Sequence, residues 1–173
     1  GAYVLKVFGP APGTDRQSIV SDFMNRWPAS LSTTSEQGEA LYKKHCAQCH
    51  QDRTDEGGIV PSVGPNLQSL SVWQNESWLS AILDPNKAVE AKYRRLSILT
   101  LDGTTIVGLK VRENDDSIEV VNDQGALIRL ARSSIDEMRE SEKSLMPEGF
   151  EKVLTPNDLA SVVTFIRKTS IPK

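Results

Sequence analysis

The sequence predicts a mainly α fold interrupted by an antiparallel β meander of about four strands. Three observations predict it. Apolar residues recur at helical spacing near both ends of the chain, between residues 14 and 27 and again after Thr155. Between residues 93 and 135 the period changes to alternation, broken by Asn-, Asp- and Gly-rich turns. A further helical stretch runs straight into Cys46-Ala47-Gln48-Cys49-His50, which contains both cysteines of the chain and one of its two histidines.

The chain has 173 residues, enough for one main core with an embellishment. Apolar residues make up 38% and charged residues 25%, within the range of folded soluble proteins and outside the regime of disorder. A formal charge of -3 excludes the basic surplus expected of a nucleic-acid binder. No apolar run approaches the ~20 residues of a membrane span, and no signal peptide opens the chain. That absence does not argue for the cytoplasm, because Gly1 is an abrupt start and export stays open.

The first helix is expected over residues 14–27. Thr14 with Gln17 forms a capping box, Ile19, Phe23 and Trp27 fall four apart, and Pro28 stops the helix. Residues 9–13 and 29–35 are rich in turn formers and read as linkers, so residues 1–34 form an expected appendage, the tail of a preceding domain. The second helix starts near Thr34 or Ser35 and runs through Gly38, Leu41 and Tyr42 toward His45. Glycine inside a helix costs about 1 kcal/mol against alanine, so Gly38 implies close approach by another backbone. A middle helix over residues 76–83 ends before Pro85. Strands are expected at residues 96–101, 106–111, 118–121 and 126–130, separated by Asp102-Gly103, Asn114-Asp115-Asp116 and Asn122-Asp123-Gln124-Gly125. The last helix is marked by Thr155-Pro156-Asn157-Asp158, an N-cap, a first-turn proline and an acid at the positive end. Leu159, Val162, Val163 and Ile166 then draw one apolar stripe.

Cys46-Ala47-Gln48-Cys49-His50 has the spacing of covalent haem attachment. Two thiols three positions apart at a helix end can each add to one of two neighbouring vinyl groups on the porphyrin edge. The next residue, His50, then lies beneath the ring and directs one imidazole nitrogen at iron, while the other donates to a carbonyl. A redox dithiol normally opens a helix after a strand and does not require His50. Zinc would draw on Cys46, Cys49, His45 and His50 within six residues, too cramped for a tetrahedron. The candidates for the sixth iron ligand are Met24, Met138, Met146 and His45. Pro147 disfavours helix at Met146 and leaves its thioether in a loop, free to turn inward. Met24 belongs to an apolar stripe, and His45 directly precedes the attachment site.

With these residues in place, the chain resembles class I cytochromes c, and more closely the haem-binding domain at the C-termini of large planctomycete and verrucomicrobial proteins. The resemblance covers residues 35–166. It is carried by Gly38 and Tyr42, the attachment pentapeptide, Val63-Gly64-Pro65-Asn66-Leu67, Trp78-Leu79 through Ile82-Leu83-Asp84-Pro85-Asn86, Leu101-Asp102-Gly103 with Gly108, and Ser144-Leu145-Met146-Pro147-Glu148-Gly149. It implies a class I cytochrome c fold over residues 35–173, with the β insertion at about 93–135. It also implies crossing first and last helices, Pro65 as the carbonyl partner of His50, and Met146 as the axial methionine. Haem propionates are expected near Tyr93, Arg94 and Arg95, with Trp78 as a further candidate. The implied cofactor is one covalent haem c, bound by Cys46, Cys49, His50, Met146 and Pro65, with His50 and Met146 on the iron.

The expected function is single-electron transfer in an exported, periplasmic setting. The partner is a redox protein or an upstream dehydrogenase-like domain, and the domain itself is an electron carrier with no catalytic residues. The alternative is a gas sensor or peroxidase-like enzyme with an open sixth site. That chemistry wants a distal histidine or arginine over the iron, and His45, the only spare histidine, is badly placed for it. The insertion also reads as a docking module, which is compatible with electron transfer.

Overall fold

The computed structural model describes residues 15–29, 35–55, 58–60 and 62–169. Helix α1 spans Arg16–Asn25, and Asp15 caps it by accepting the Gln17 N–H at 3.0 Å. Thr14, expected as the cap, lies outside the described residues, as do Thr34, residues 9–13 and most of the second linker. Helix α2 (Ser35–His45) leads into the single turn α3 (Ala47–His50). A short hairpin of β1 (Arg53–Asp55) and β2 (Gly58–Val60) follows, then a 3-10 turn at Leu67–Leu70 and helix α4 (Asn75–Leu83). Strands β3 (Arg94–Thr100), β4 (Thr105–Glu113), β5 (Ser117–Asn122), β6 (Leu127–Ala131) and β7 (Ile135–Ser144) precede helix α5 (Pro156–Thr169). Thr155 caps α5 reciprocally: the Asp158 N–H donates to Thr155 Oγ1, and the Thr155 N–H donates to the Asp158 carboxylate.

The mainly α class expected of a class I cytochrome c is overturned. Alongside the helices stands an antiparallel sheet of five strands, not four, in the order β6-β5-β4-β3-β7, and it extends to residue 144. The extra strand, β7, reads Ile-Asp-Glu-Met-Arg-Glu-Ser-Glu-Lys-Ser, and its solvent exposure continues through consecutive residues. It lies on the sheet edge with little apolar alternation to mark it, and backbone pairing to β3 defines it. Strands β6 and β7 occupy opposite edges yet are joined by the three-residue turn Arg132–Ser134. A flat five-stranded sheet would hold its edges about 19 Å apart, beyond the ~14 Å that so short a link can span. The sheet therefore curls into a partly closed barrel. The Leu101 N–H to the Ser134 carbonyl (2.9 Å) and the Arg132 N–H to the Asp116 carbonyl (2.8 Å) pin the closure.

The curled sheet has two apolar faces. Leu96, Ile98, Ile118 and Val120 form one cluster with Ile106, Leu130 and Ile135, the two-residue spacing placing each pair on one face. Leu109 and Val121, opposite each other in register, form another with Val63, against which Cys49, Tyr93, Val111 and Leu145 pack. In the helical layer α2 crosses α5 at Gly38, with the Tyr42 and Phe165 ring centroids 5.4 Å apart. Helix α1 buries Val20 and Phe23 against Leu79 and Leu83 of α4 and Leu154 and Leu159 around α5.

Candidate functional site

The attachment pentapeptide is set by the end of α2. The Cys46 N–H donates to the Tyr42 carbonyl at 2.8 Å, and the Cys49 and His50 N–H groups donate to the Cys46 carbonyl at 3.1 and 3.0 Å. This turn brings residues three apart onto one side, as Cys46 and Cys49 are. Burial, with the neighbouring Cys49 sulfur, pushes the Cys46 thiol up to about 12. A catalytic redox dithiol needs the opposite shift, toward thiolate.

Around His50 the backbone is built close. Its Nδ1 lies 2.9 Å from the Pro65 carbonyl oxygen. A carbonyl only accepts, so Nδ1 carries the proton and Nε2 keeps its lone pair. Burial pushes the imidazolium down despite the Pro65 contact, so the ring is held in the neutral form that ligates metals. Gly64 lies directly against the imidazole: a Cβ there would stand 2.4 Å from Cε1 and 2.6 Å from Nδ1. The loop is fixed by the Gly64 N–H to the Cys49 carbonyl (2.7 Å), by Ser62 Oγ to the Gly64 carbonyl (2.9 Å) and by Asn66, which caps the 3-10 turn after it.

The sheet and the methionine segment close on the same place. Leu145, the residue before Met146, packs against the Val63, Leu109 and Val121 cluster, as does Cys49 of the attachment turn. Met146 is partly buried, and its N–H donates to Ser144 Oγ at 3.0 Å. Met24 and Met138 are exposed on α1 and β7, and His45 meets Phe150 edge-on at 6.5 Å. Gln48 donates from Nε2 to the Asp123 carbonyl in the β5–β6 turn at 3.1 Å, so the sheet grips the pentapeptide itself.

Four buried donors have no hydrogen-bond partner among the described residues: Arg16 Nε on α1 and, among the residues expected around a haem, Trp78 Nε1, Arg94 Nε and Arg95 Nε. Unpaired buried donors are costly, and donors of this kind suit the carboxylates of a haem. Together with paired thiols and a neutral, oriented imidazole, Trp78, Arg94 and Arg95 fit that group.

Residues 33–97 match the family model described as cytochrome C oxidase, cbb3-type, subunit III. The match supports a c-type cytochrome domain. It covers α2, the attachment turn, the Pro65 loop and α4, and points to haem-based electron transfer. No curated protein matches the chain closely. No helix among the described residues is long and apolar enough to cross a membrane.

Asn86, Arg16 and Glu148 also meet beside Met146, and sequence reasoning gave none of the three a role as a contact. Asn86 accepts the Ser144 N–H at 2.9 Å and donates to Glu148 at 2.5 Å, and Glu148 in turn accepts from Arg16 at 3.2 Å. They are ordinary polar residues far apart along the chain, and no periodic pattern links them.

Proposed function

We propose that the domain transfers single electrons through one haem c, tethered by thioethers to Cys46 and Cys49 and held by His50 and Met146. The observation that carries this reading is the imidazole of His50, neutral, oriented by Pro65 and backed by Gly64, one residue beyond a paired-thiol turn. Haem bound there supplies a one-electron iron couple. His50 offers Nε2 to the metal while Pro65 fixes the ring plane, which limits reorganisation between redox states. The Met146 thioether, a soft neutral ligand, favours the reduced metal and raises the potential relative to a second imidazole. Trp78, Arg94 and Arg95 offer donors to the propionates. Val63, Leu109 and Val121, against which Cys49 packs, would exclude water from the Cys49 thioether, which lowers the local dielectric.

Residues 35–173 form the proposed cytochrome domain, with residues 1–34 as an appendage whose α1 packs onto it. The likeness to C-terminal haem domains of planctomycete and verrucomicrobial proteins supports an exported, periplasmic location and an upstream dehydrogenase-like domain or separate redox protein as partner. The test is spectroscopic. The ferric holoprotein is expected to show a near-infrared sulfur-to-iron charge-transfer band, lost in Met146→Ala and kept in Met24→Ala and Met138→Ala, together with a reversible one-electron wave. Five-coordinate spectra and ready carbon monoxide binding by the parent would replace electron transfer with the sensor or enzyme reading.

A further inference from the structure

The segment carrying Met146 is gripped on both sides by one side chain. The Asn86 carboxamide, just past the end of α4, accepts the Ser144 N–H through Oδ1 at 2.9 Å and donates through Nδ2 to Glu148 Oε1 at 2.5 Å. These contacts fall two residues before and two after Met146. The other Glu148 oxygen accepts from Arg16 Nη2 at 3.2 Å, and Arg16 Nη1 donates to Glu151 Oε1 at 2.9 Å. The Arg16 side chain is 12% exposed, and those of Glu148 and Glu151 are 17% and 14% exposed. Pairs this far from water differ from exposed ion pairs, since removing one partner strands a desolvated charge.

The position of Arg16 points the same way. It is the first residue of α1, where the helix dipole disfavours a cation, and the adjacent acid, the N-cap Asp15, is engaged with the Gln17 N–H. Its two terminal nitrogens are held by two carboxylates more than 130 residues away along the chain, while Nε has no partner among the described residues. Arg16, Glu148 and Glu151 all lie outside residues 33–97, the span of the family match.

We propose that Asn86 and Arg16 are positioning residues for the axial thioether: together with Glu148 they clamp the Ser144–Gly149 segment so that Met146 is presented to the iron. The proposal rests on the reading of Met146 as sixth ligand. The clamp itself is a property of the polypeptide and can be measured separately.

The test uses the full-chain holoprotein and the variants Asn86→Ala, Arg16→Gln and Arg16→Lys. Haem content and far-ultraviolet circular dichroism identify the variants that fold. In Asn86→Ala the amides of Ser144 and Met146 are expected to exchange with solvent about tenfold faster or more, the loss of a hydrogen bond to a fixed, partly buried partner. Arg16→Gln is expected to do the same more weakly, and Arg16→Lys to restore part of the protection. The near-infrared band should melt at lower temperature than the helices in Asn86→Ala and Arg16→Gln, and the ferrous variants should take up carbon monoxide faster than the parent. Unchanged exchange at Ser144 and Met146 in both Asn86→Ala and Arg16→Gln overturns the clamp, whatever the spectrum shows. Faster exchange with a band that melts as in the parent overturns the link from clamp to thioether. A parent without the band overturns the Met146 reading instead, and the exchange comparison still decides whether the clamp holds the segment.

Discussion

At Gly64 there is room for a hydrogen and for little else. A methyl group would sit 2.4 Å from Cε1 of the His50 ring, which is held at Nδ1 by Pro65 and cannot swing away without giving up that bond. Gly64→Ala is therefore expected to destabilise the protein by roughly 1–3 kcal/mol, the usual cost of overpacking, and to lower the yield of haem-loaded protein. Thermal unfolding together with haem content per polypeptide checks this, and parent-like values for both would show that the ring is not confined. Cys46, Cys49 and His50 are legible in the sequence because they are contiguous and their spacing alone carries chemistry. Pro65 could be pointed to only through a resemblance, since a carbonyl acceptor leaves no side-chain trace. Arg16, Asn86 and Glu148 left none either, because their contacts exist only after three distant segments meet.

Among the elements, the crossing of α2 and α5 depends on Gly38. A Cβ there would stand 2.3 Å from the Ser161 carbonyl oxygen and 3.0 Å from Phe165 Cβ. Gly38→Ala adds about 1 kcal/mol of helix propensity, yet it forces apart two helices whose contact is partly backbone. A net loss of roughly 1–3 kcal/mol is expected, read as a fall of about 2–4 °C in Tm per kcal/mol for a chain of this size. A rise in Tm would mean that the helices part without cost. The glycine was readable as a close approach because nothing else explains it inside an amphipathic helix. Four of the five sheet strands were readable from alternation and from Asn114 and Asn122, whose side chains each accept two backbone N–H groups in the turns. Strand β7 was not, because pairing to β3 needs backbone alone and leaves its side chains free to be charged.

Over the whole molecule, the helical layer and the curled sheet meet at the attachment turn. Val63, Leu109 and Val121 share one cluster with Cys49 and Leu145, while Gln48 bonds to the β5–β6 turn. The sheet is thus part of the wall of the site, and the mainly α expectation failed because it treated these residues as an insertion beside a finished helical domain. Cys49 and Leu145 pack on one apolar cluster and Cys46 on another, with the neutral imidazole of His50 following the paired thiols, and the proposed function turns on a covalent haem at Cys46 and Cys49. The intact mass of the purified holoprotein under denaturing conditions tests that claim most directly. The expected result is the polypeptide mass plus one haem, falling to the polypeptide alone when both cysteines are replaced by serine. A parent that releases all of its haem on denaturation, leaving the bare polypeptide mass, would contradict the account.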